Sequence, residues 1–344
     1  MRVGMKLNYA GGFTETVSEL QDFERAGLQV VSVAEAYSFD AVSQLGFIAA
    51  RTQTVEIASG ILPIYSRTPA LTAMTAAGLD YVSGGRFTLG IGTSGPQVIE
   101  GWHGVPYTAP VGRTRELIEI CRLVWKRERL DYHGKYYTLP LEGGTGLGKP
   151  LKLINHPVRE RIPVVIAALG PKNVELAAEL AEGWEPIFYL PEKSAGAWAE
   201  PLGAGAAKRD AALGPLDVIA QAPLAIGDDV AHLRDLSRPF FALYIGGMGA
   251  RGKNFYFDLA CRFGYEAAAQ QIQDAYLDGR KDEAAALVPA ELVEKTSLIG
   301  PHGWVKERLA AYREAGVTTL NVTALGPTHE RRVQDIETLR TLAG

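Results

Sequence analysis

Residues 68–92, TPALTAMTAAGLDYVSGGRFTLGIG, contain the join between helix and strand that recurs along the chain and decides the fold. Thr68 can cap a helix, and Pro69 suits the first helical turn because that position needs no backbone N–H donor. The helical pattern stops at Gly84 and Gly85, since glycine readily adopts the left-handed conformation that ends a helix. The apolar run that follows is typical of a strand. The stretch therefore predicts a helix that leads directly into a strand.

The same join ends three other helical patterns, which close at Gly27, Gly183 and Gly316. Strands that alternate with helices in one chain indicate parallel βαβ units. The predicted strands, eight in number, are 2–8, 29–35, 55–61, 86–92, 163–168, 185–190, 217–226 and 318–323. Eight such strands predict a (β/α)8 TIM barrel, an α/β fold, and a doubly wound open sheet is the alternative that the pattern leaves open.

Two segments are longer than a plain barrel requires and predict insertions near residues 102–160 and 246–300. The first insertion holds a helical pattern at 113–127 and a hairpin pattern around 132–137. Long insertions after barrel strands usually build the rim of the active site. No low-complexity linker interrupts the chain, so residues 1–344 are predicted to form a single domain.

The composition argues against several classes of function. The net charge is −4 and like charges form no long run, which disfavours binding to nucleic acid or to an anionic membrane surface. No apolar run approaches the roughly 20 residues of a membrane span, and residues 1–7 are too short and mixed for a signal sequence. Cys121 and Cys261 stand far apart, and no motif predicts a metal site. We expect a cytoplasmic protein that acts on a small molecule.

The turn after the fifth predicted strand carries the strongest chemical signal, because the active face of a TIM barrel lies at the carboxyl ends of its strands. Gly170 allows a ligand to approach the backbone, and Pro171 stands where a helix begins. Free N–H groups of Lys172, Asn173 and Val174 are then expected to point outward at the positive end of the helix dipole. The turn predicts an anion site, and an ordinary turn between strand and helix is the alternative.

The turn after the fourth predicted strand, residues 90–95, reads GIGTSG. It matches G-x-G-x-x-G, yet it lies in the middle of the chain rather than in a first βαβ unit, so it is a poor dinucleotide fingerprint. We interpret it as a wall of small residues, including Gly92 and Thr93, against which a flat ring can lie. A loosely packed turn is the alternative.

Glu35 at the end of the second strand and His103 at the start of the first insertion are the candidate catalytic residues, with Tyr37 as a further candidate for proton transfer. The alternative for Glu35 is a structural ion pair, and the alternative for His103 is a packed residue of the rim. A glycine-rich loop in the second insertion carries Arg251 and Lys253, which could close over an anionic tail or remain solvated.

The strand ends, taken in order over nearly the whole chain, resemble those of the luciferase-like monooxygenase superfamily, and specifically of its actinobacterial type of F420-dependent oxidoreductase. The segments that carry the resemblance lie at strand ends and at the joins between helix and strand. They are 26–36, 58–69, 85–104, 112–116 and 167–184.

The resemblance implies a deazaflavin, coenzyme F420, whose ring lies across the barrel mouth and whose phosphate lies on the turn after the fifth strand. The residues implied around the ring are Glu35, Ala36, Ser59, Gly60, Ile61, Gly92 and Thr93, and those implied around the phosphate are Leu169, Gly170, Pro171, Lys172 and Asn173. Arg251 and Lys253 are expected to meet the anionic tail of the cofactor. The resemblance also implies a non-prolyl cis peptide bond in the third strand, at Gly60–Ile61 or Ser59–Gly60.

The sequence departs from the sugar-phosphate dehydrogenases of this superfamily at two positions. Ala36 stands where they have His, and Ser94–Gln97 stands where a Glu is expected. The resemblance therefore predicts hydride transfer between C5 of the deazaflavin and an unidentified small organic substrate, without favouring a sugar phosphate. The resemblance also implies a homodimer or a larger homo-oligomer. The sequence agrees with this, because the helices predicted near 68–81 and 113–125 carry more apolar side chains than one buried face needs.

Two other functions remain open at this point. An FMN-dependent monooxygenase could use the same barrel, but it would activate oxygen, which a deazaflavin does not do readily because it lacks the N5 atom. A degenerate barrel could also bind a flavin-like ligand without turnover.

Overall fold

The computed structural model describes residues 1–7 and 12–344. The predicted strand 2–8 therefore ends at Leu7 within the described residues, and Asn8 lies outside them. The strands are β1 (Arg2–Leu7), β2 (Val30–Val33), β3 (Glu56–Ser59), β4 (Leu62–Pro63), β5 (Phe87–Gly92), β6 (Tyr132–His133), β7 (Thr138–Leu139), β8 (Val164–Ala167), β9 (Gly183–Glu185), β10 (Asp217–Ile226), β11 (Leu298–Gly300) and β12 (Thr319–Ala324).

The α-helices alternate with these strands along most of the chain. They are α1 (Phe13–Arg25), α2 (Ala41–Arg51), α3 (Pro69–Val82), α4 (Pro96–Gly101), α5 (Pro110–Trp125), α6 (Pro171–Leu180), α7 (Pro191–Ala206), α8 (Arg238–Ala242), α9 (Phe255–Arg262), α10 (Glu266–Leu277), α11 (Lys281–Ala286), α12 (Ala290–Lys295), α13 (His302–Glu314) and α14 (His329–Ala343). None of the helices in the described part of the chain is long and apolar enough to cross a membrane.

Eight parallel strands close into a barrel, which confirms the predicted (β/α)8 TIM-barrel fold. The strands pair around the ring in the order β1, β2, β3, β5, β8, β9, β10 and β12, and β12 pairs with β1. The pairing of β9 with β10 and of β12 with β1 leaves no free edge, so the open doubly wound sheet is excluded. The short β4 pairs with β5, and β11 pairs in parallel with the carboxyl end of β10.

The join at 68–92 forms as the sequence predicts. The Thr68 side chain accepts a hydrogen bond from Leu71 N and caps α3, and Pro69 occupies the first turn. Gly84 and Gly85 follow the helix at φ of 68° and 86°, where glycine carries no steric penalty. The chain then enters β5, whose residues are all buried.

The predicted strand 185–190 is wrong in its bounds, because β9 ends at Glu185. Pro186 has no N–H group to donate to a neighbouring strand, and Phe188 has a φ of 57°, which is left-handed rather than extended. The chain therefore leaves the barrel at this point, and the Phe188 side chain packs into an aromatic cluster above the mouth.

Two connections between barrel strands hold extra elements. The connection between β5 and β8 holds α4, α5 and the antiparallel hairpin of β6 and β7, which confirms the predicted hairpin. The connection between β10 and β12 holds α8 to α13, and residues 243–247 within it form a turn of π-helix. Both connections leave from carboxyl strand ends.

Candidate active site at the carboxyl end of the barrel

The Gly60–Ile61 peptide at the end of β3 is cis, as the resemblance predicts. Its neighbours hold it on both sides, because Gly60 N donates to Val33 O at 2.7 Å and Glu35 N donates to Ile61 O at 3.1 Å. The backbone of β2 and the turn after it are therefore bonded directly to this peptide. Ile61 is half-buried at the mouth.

Ser59 binds to the neighbouring strand through its hydroxyl group. Its Oγ donates to Gly90 O and accepts from Gly90 N, both at 2.8 Å, so the buried hydroxyl is already used within the barrel. A Cβ on Gly90 would lie 1.8 Å from Ser59 O, and a Cβ on Gly92 would lie 3.1 Å from the Ile61 side chain. The glycines are required by close approach to β3 and to Ile61, and the backbone of Gly60, Ile61 and Gly92 forms a wall at the barrel mouth.

Glu35 lies at this wall as one half of a nearly buried ion pair. Its Oε1 accepts from Arg67 Nη1 at 2.5 Å, and its Oε2 accepts from Arg67 Nη2 at 2.8 Å and from Ala41 N at 3.0 Å. The bidentate pair joins the turn after β2 to the segment before α3 and to the start of α2. The ion-pair alternative for Glu35 is thus present, and Ala36 beside it is half-buried.

The predicted anion turn, Leu169 to Asn173, lies at the end of β8 and is largely accessible. The prediction of free N–H groups is wrong for Asn173 and Val174, because both donate to Gly170 O within the first turn of α6, while Pro171 and Lys172 are exposed. The side-chain oxygen of Asn173 is buried without a hydrogen-bond partner among the described residues. This oxygen is an acceptor, so a hydroxyl group or a water molecule would satisfy it, whereas an anion would not.

Arg262, which the sequence argument did not single out, lies beside the same turn. It donates to Leu169 O at 3.1 Å and to Ala197 O at 3.1 Å, and its guanidinium lies 5.9 Å from the centre of the Trp198 ring. Partial burial lowers the pKa of Arg262, which nonetheless stays a cation at neutral pH. The turn therefore has a fixed positive charge as well as its helix dipole.

The two predicted loop cations differ in their surroundings. Arg251 forms an ion pair with Asp274 of α10, and both side chains are about half exposed. Lys253 is exposed and has no ion-pair partner among the described residues. The Asn254 side chain closes the loop by donating to Tyr244 O and Ile245 O.

His103 and Tyr37 lie on the rim. His103 is half-buried, and its Nε2 atom is buried without a hydrogen-bond partner in the described part of the chain. Tyr37 is 66% exposed, and its ring lies 6.4 Å from that of Trp102. Among residues 1–7 and 12–344, no group of three or more His, Cys, Asp or Glu side chains could hold a metal ion.

A comparison with known protein families matches residues 1–319 to the family described as luciferase-like monooxygenase. The chain belongs to the luciferase-like monooxygenase family. It is 43% identical over 334 residues to the "Putative coenzyme F420-dependent oxidoreductase Rv3520c" of Mycobacterium tuberculosis, covering 94% of this chain and 95% of that protein. It is 28% identical to the 5,10-methylenetetrahydromethanopterin reductase of Archaeoglobus fulgidus over 90% of both chains.

The fold of this luciferase-like protein is also similar to solved structures. The coenzyme F420-dependent tetrahydromethanopterin reductase of Methanopyrus kandleri superposes with a TM-score of 0.80 at 22% identity, covering 98% of this chain and 97% of that chain. At that level of identity the likeness shows the fold alone.

Tyrosines above the mouth form a part of this luciferase-like site that the sequence argument missed. The Tyr65 and Tyr107 ring centres lie 5.3 Å apart, and the Tyr244 and Tyr256 ring centres lie 4.7 Å apart. Phe188 at the end of β9 lies 5.6 Å from Tyr244. These residues come from separate connections between strands and helices, so no spacing in the sequence could have grouped them.

Burial keeps these tyrosines neutral. It raises the pKa of Tyr65 to about 12, and it also raises the pKa of Tyr107 and of Tyr256. A neutral phenol can donate a hydrogen bond as well as accept one. Tyr65 Oη already donates to Thr108 O at 2.8 Å, so Tyr107 and Tyr256 are the neutral phenols left to donate to a ligand at the mouth.

Lys6 and Glu185, which were also missed, lie inside the barrel at the ends of β1 and β9. Lys6 Nζ lies 3.7 Å from Glu185 Oε1, and Gln221 Nε2 donates to the same oxygen at 2.8 Å. A lysine within the apolar run VGMKL was the available signal, because alternate residues of a barrel strand face inward.

Proposed function

We propose that this protein is a coenzyme F420-dependent oxidoreductase that transfers hydride between C5 of the deazaflavin and a small organic substrate. The observation that carries the proposal is the flat backbone wall of Gly60, Ile61 and Gly92 at the barrel mouth, together with the anion turn at the start of α6. The similarity to a protein named for F420-dependent oxidoreduction, over 94% of this chain, supports the same cofactor.

The residues present suit this cofactor. A planar ring can pack against the backbone of the wall, because the Cβ direction of Gly60 points inward to Ser32 and Lys6 and the lack of a side chain on Gly92 leaves room for Ile61. The turn of Gly170 and Lys172, with Arg262 beside it, suits a phosphate group, which takes charge-assisted hydrogen bonds. When bound, the deazaflavin supplies a two-electron hydride donor or acceptor, and the protein supplies binding, orientation and exclusion of water.

We assign different roles to the two candidate catalytic residues. His103 has an unpaired buried Nε2 atom and is the candidate for proton transfer at the rim. Both carboxylate oxygens of Glu35 are engaged by Arg67 and Ala41, so Glu35 acts as a positioning residue that holds the turn after β2 against the Gly60–Ile61 peptide. Tyr37 is too exposed to be held at a fixed distance from the ring.

The substrate is expected to be bound between aromatic faces and to accept a hydrogen bond. Tyr107 and Tyr256 remain neutral because burial raises the pKa of each, so they can donate to a carbonyl oxygen. Aromatic side chains bind large apolar surfaces with little loss of conformational entropy. A small organic carbonyl compound or the corresponding alcohol fits this description.

Titration of the purified protein with F420 and, separately, with FMN tests the cofactor. We expect F420 to bind more tightly than FMN by at least about tenfold, because F420 offers additional anionic groups to the cations around the mouth. Tighter binding of FMN would overturn the proposal in favour of a flavin monooxygenase. Binding of F420 without reduction or oxidation by any carbonyl or alcohol substrate would favour a ligand-binding barrel.

A further inference from the structure

The interior of the barrel is unusually polar below the candidate active site. Barrel interiors are normally filled by layers of branched apolar side chains. Here a cavity of about 230 Å³ lies inside the ring of strands. Polar side chains line it from one end to the other, namely Arg2, Ser32, Glu56, Glu185, Asp217 and Asn321.

The lower end of the cavity meets solvent at the amino ends of the strands. Arg2 bridges Glu56 at 2.8 Å and Asp217 at 3.8 Å across this mouth. All three side chains are about one-third exposed, so the ion pairs are solvated and can open at little cost. The mouth also carries Glu182, which is paired with Arg161 and Arg122.

The middle of the cavity holds two polar atoms that need a partner. Ser32 Oγ and Asn321 Oδ1 are buried and make no hydrogen bond to any described residue. Buried polar groups without protein partners are usually bonded to water, and an empty cavity is normally apolar. A volume of 230 Å³ corresponds to roughly seven waters at the molecular volume of the liquid.

The upper end of the cavity reaches the underside of the proposed cofactor wall. Glu185 lines the cavity and is paired with Lys6. A Cβ built on Gly60 would lie 3.2 Å from Ser32 Oγ and 3.8 Å from Lys6 Cε. Lys6 and Ser32 therefore lie directly on the inner side of the cis Gly60–Ile61 peptide.

We propose that the barrel encloses a water-filled shaft that carries protons between solvent at its amino-terminal mouth and the Lys6–Glu185 pair beneath the active site. The use of those protons rests on the proposed function. A hydride carries two electrons to the substrate, and the substrate gains one proton as well. His103 at the rim supplies this proton. A reduced deazaflavin also has one proton to lose once its hydride has left, and the Lys6–Glu185 pair beneath the wall takes up that proton and passes it to water in the shaft. Oxidation of the substrate moves both protons the other way.

A cysteine placed inside the shaft tests it without any cofactor. The variant Ser32→Cys, combined with Cys261→Ser, leaves Cys121 as an internal control that is fully buried. We expect methyl methanethiosulfonate to modify Cys at position 32 at least about a hundredfold faster than Cys121, because thiols in a close-packed interior react only when the structure opens. After a rapid change of the solvent pH, the absorbance of the Cys thiolate at position 32 should also change as fast as the pH itself.

A plug variant provides the matched control. Ala58 lines the cavity, and Ala58→Leu should fill it and slow both the modification and the thiolate response at least about tenfold. Ile219→Phe serves the same purpose if Ala58→Leu unfolds. Equal, slow reaction of the position 32 cysteine and of Cys121 would show a dry interior and overturn the proposal. Reaction that neither plug slows would overturn the route through the amino-terminal mouth.

The active-site end of the shaft is tested with F420 loaded. Glu185→Gln should lower the rate of hydride transfer with a carbonyl acceptor at least about tenfold, which is a modest effect for a lost proton relay. It should leave the Kd for F420 within about twofold. Unchanged rates in Glu185→Gln and in Ala58→Leu would overturn the proton role. Failure of F420 to bind would instead contradict the proposed function, while the cysteine experiment would still decide whether protons reach the pair.

Discussion

At the scale of single residues, the chemistry of the site depends on partners that lie far away in sequence. Glu35 is held by Arg67, and Ser59 is held by Gly90. In each contact the polar group is already hydrogen-bonded within the protein, so it fixes the backbone near Ile61 and is not free to react with a substrate. The side chains closest to the wall are therefore mostly structural, and the backbone itself forms the surface that a ring would meet.

Gly90 provides a residue-scale prediction. Gly90→Ala should lower the free energy of unfolding by about 3 kcal/mol or more, because its Cβ would lie 1.8 Å from the backbone oxygen of Ser59. Gly196→Ala is the matched control, since nothing lies within 4 Å of its Cβ position in α7. It should be neutral or stabilise by up to about 1 kcal/mol. Chemical denaturation measures both, and equal stabilities would contradict the close-approach argument.

At the scale of elements, α6 and the loop before α9 form the expected contact surface for the anionic part of the cofactor. The first turn of α6 contributes its dipole, and Arg262 at the end of α9 contributes a fixed charge. Arg251 already forms an ion pair with Asp274 of α10, so a bound anion would compete with the Asp274 carboxylate for the Arg251 guanidinium group.

This arrangement predicts a selective loss of F420 affinity. Replacing Arg251 and Lys253 together by Ala should weaken F420 binding by about tenfold, since each exposed charge contact is worth roughly 0.5–1 kcal/mol. FMN binding should change little, because FMN lacks the longer anionic tail. Asp274→Asn should act in the opposite direction by freeing Arg251. Titrations at low and moderate salt measure these effects, and an unchanged F420 affinity in the double variant would show that the loop does not contact the cofactor.

At the scale of the whole molecule, α3 presents an apolar face that the described residues leave exposed. Leu71, Met74, Tyr81 and Val82 lie on it and are between 47% and 69% exposed. Their spacing of three and seven places them on one side of the helix. Exposed apolar patches of this kind mark interaction surfaces, and a second copy of the chain is the occupant we expect.

The prediction is a homodimer or larger homo-oligomer that packs through α3. Replacing Leu71 and Met74 together by Glu should shift the protein toward the monomer, because each buried carboxylate would lack a partner in an apolar interface. Sedimentation velocity at micromolar concentration measures the change. Lys193→Glu on the exposed face of α7 is a control that should leave the mass unchanged. A wild-type protein that sediments as a monomer would contradict the prediction.

The sequence by itself determined the repeating units of this protein. Helix caps such as Thr68, helix ends such as Gly84, and the period of apolar residues act over a few positions, so they can be recognised without the fold. These local signals predicted the strands and the turn at Gly170 and favoured a barrel, but the strand pairing was needed to exclude the open sheet. The family resemblance added the cis peptide at Gly60–Ile61, which the structure contains.

The tertiary structure decided which of those strand ends act together and how each side chain is used. The pairing of Glu35 with Arg67, the contact of Tyr65 with Tyr107, and the Lys6–Glu185 pair join residues that are 32, 42 and 179 positions apart. Such contacts depend on closure of the barrel, because the strand register brings β1 beside β12 and fixes which residues face inward. The early end of β9 has the same origin, since Phe188 leaves the strand to pack with aromatic residues of the second insertion.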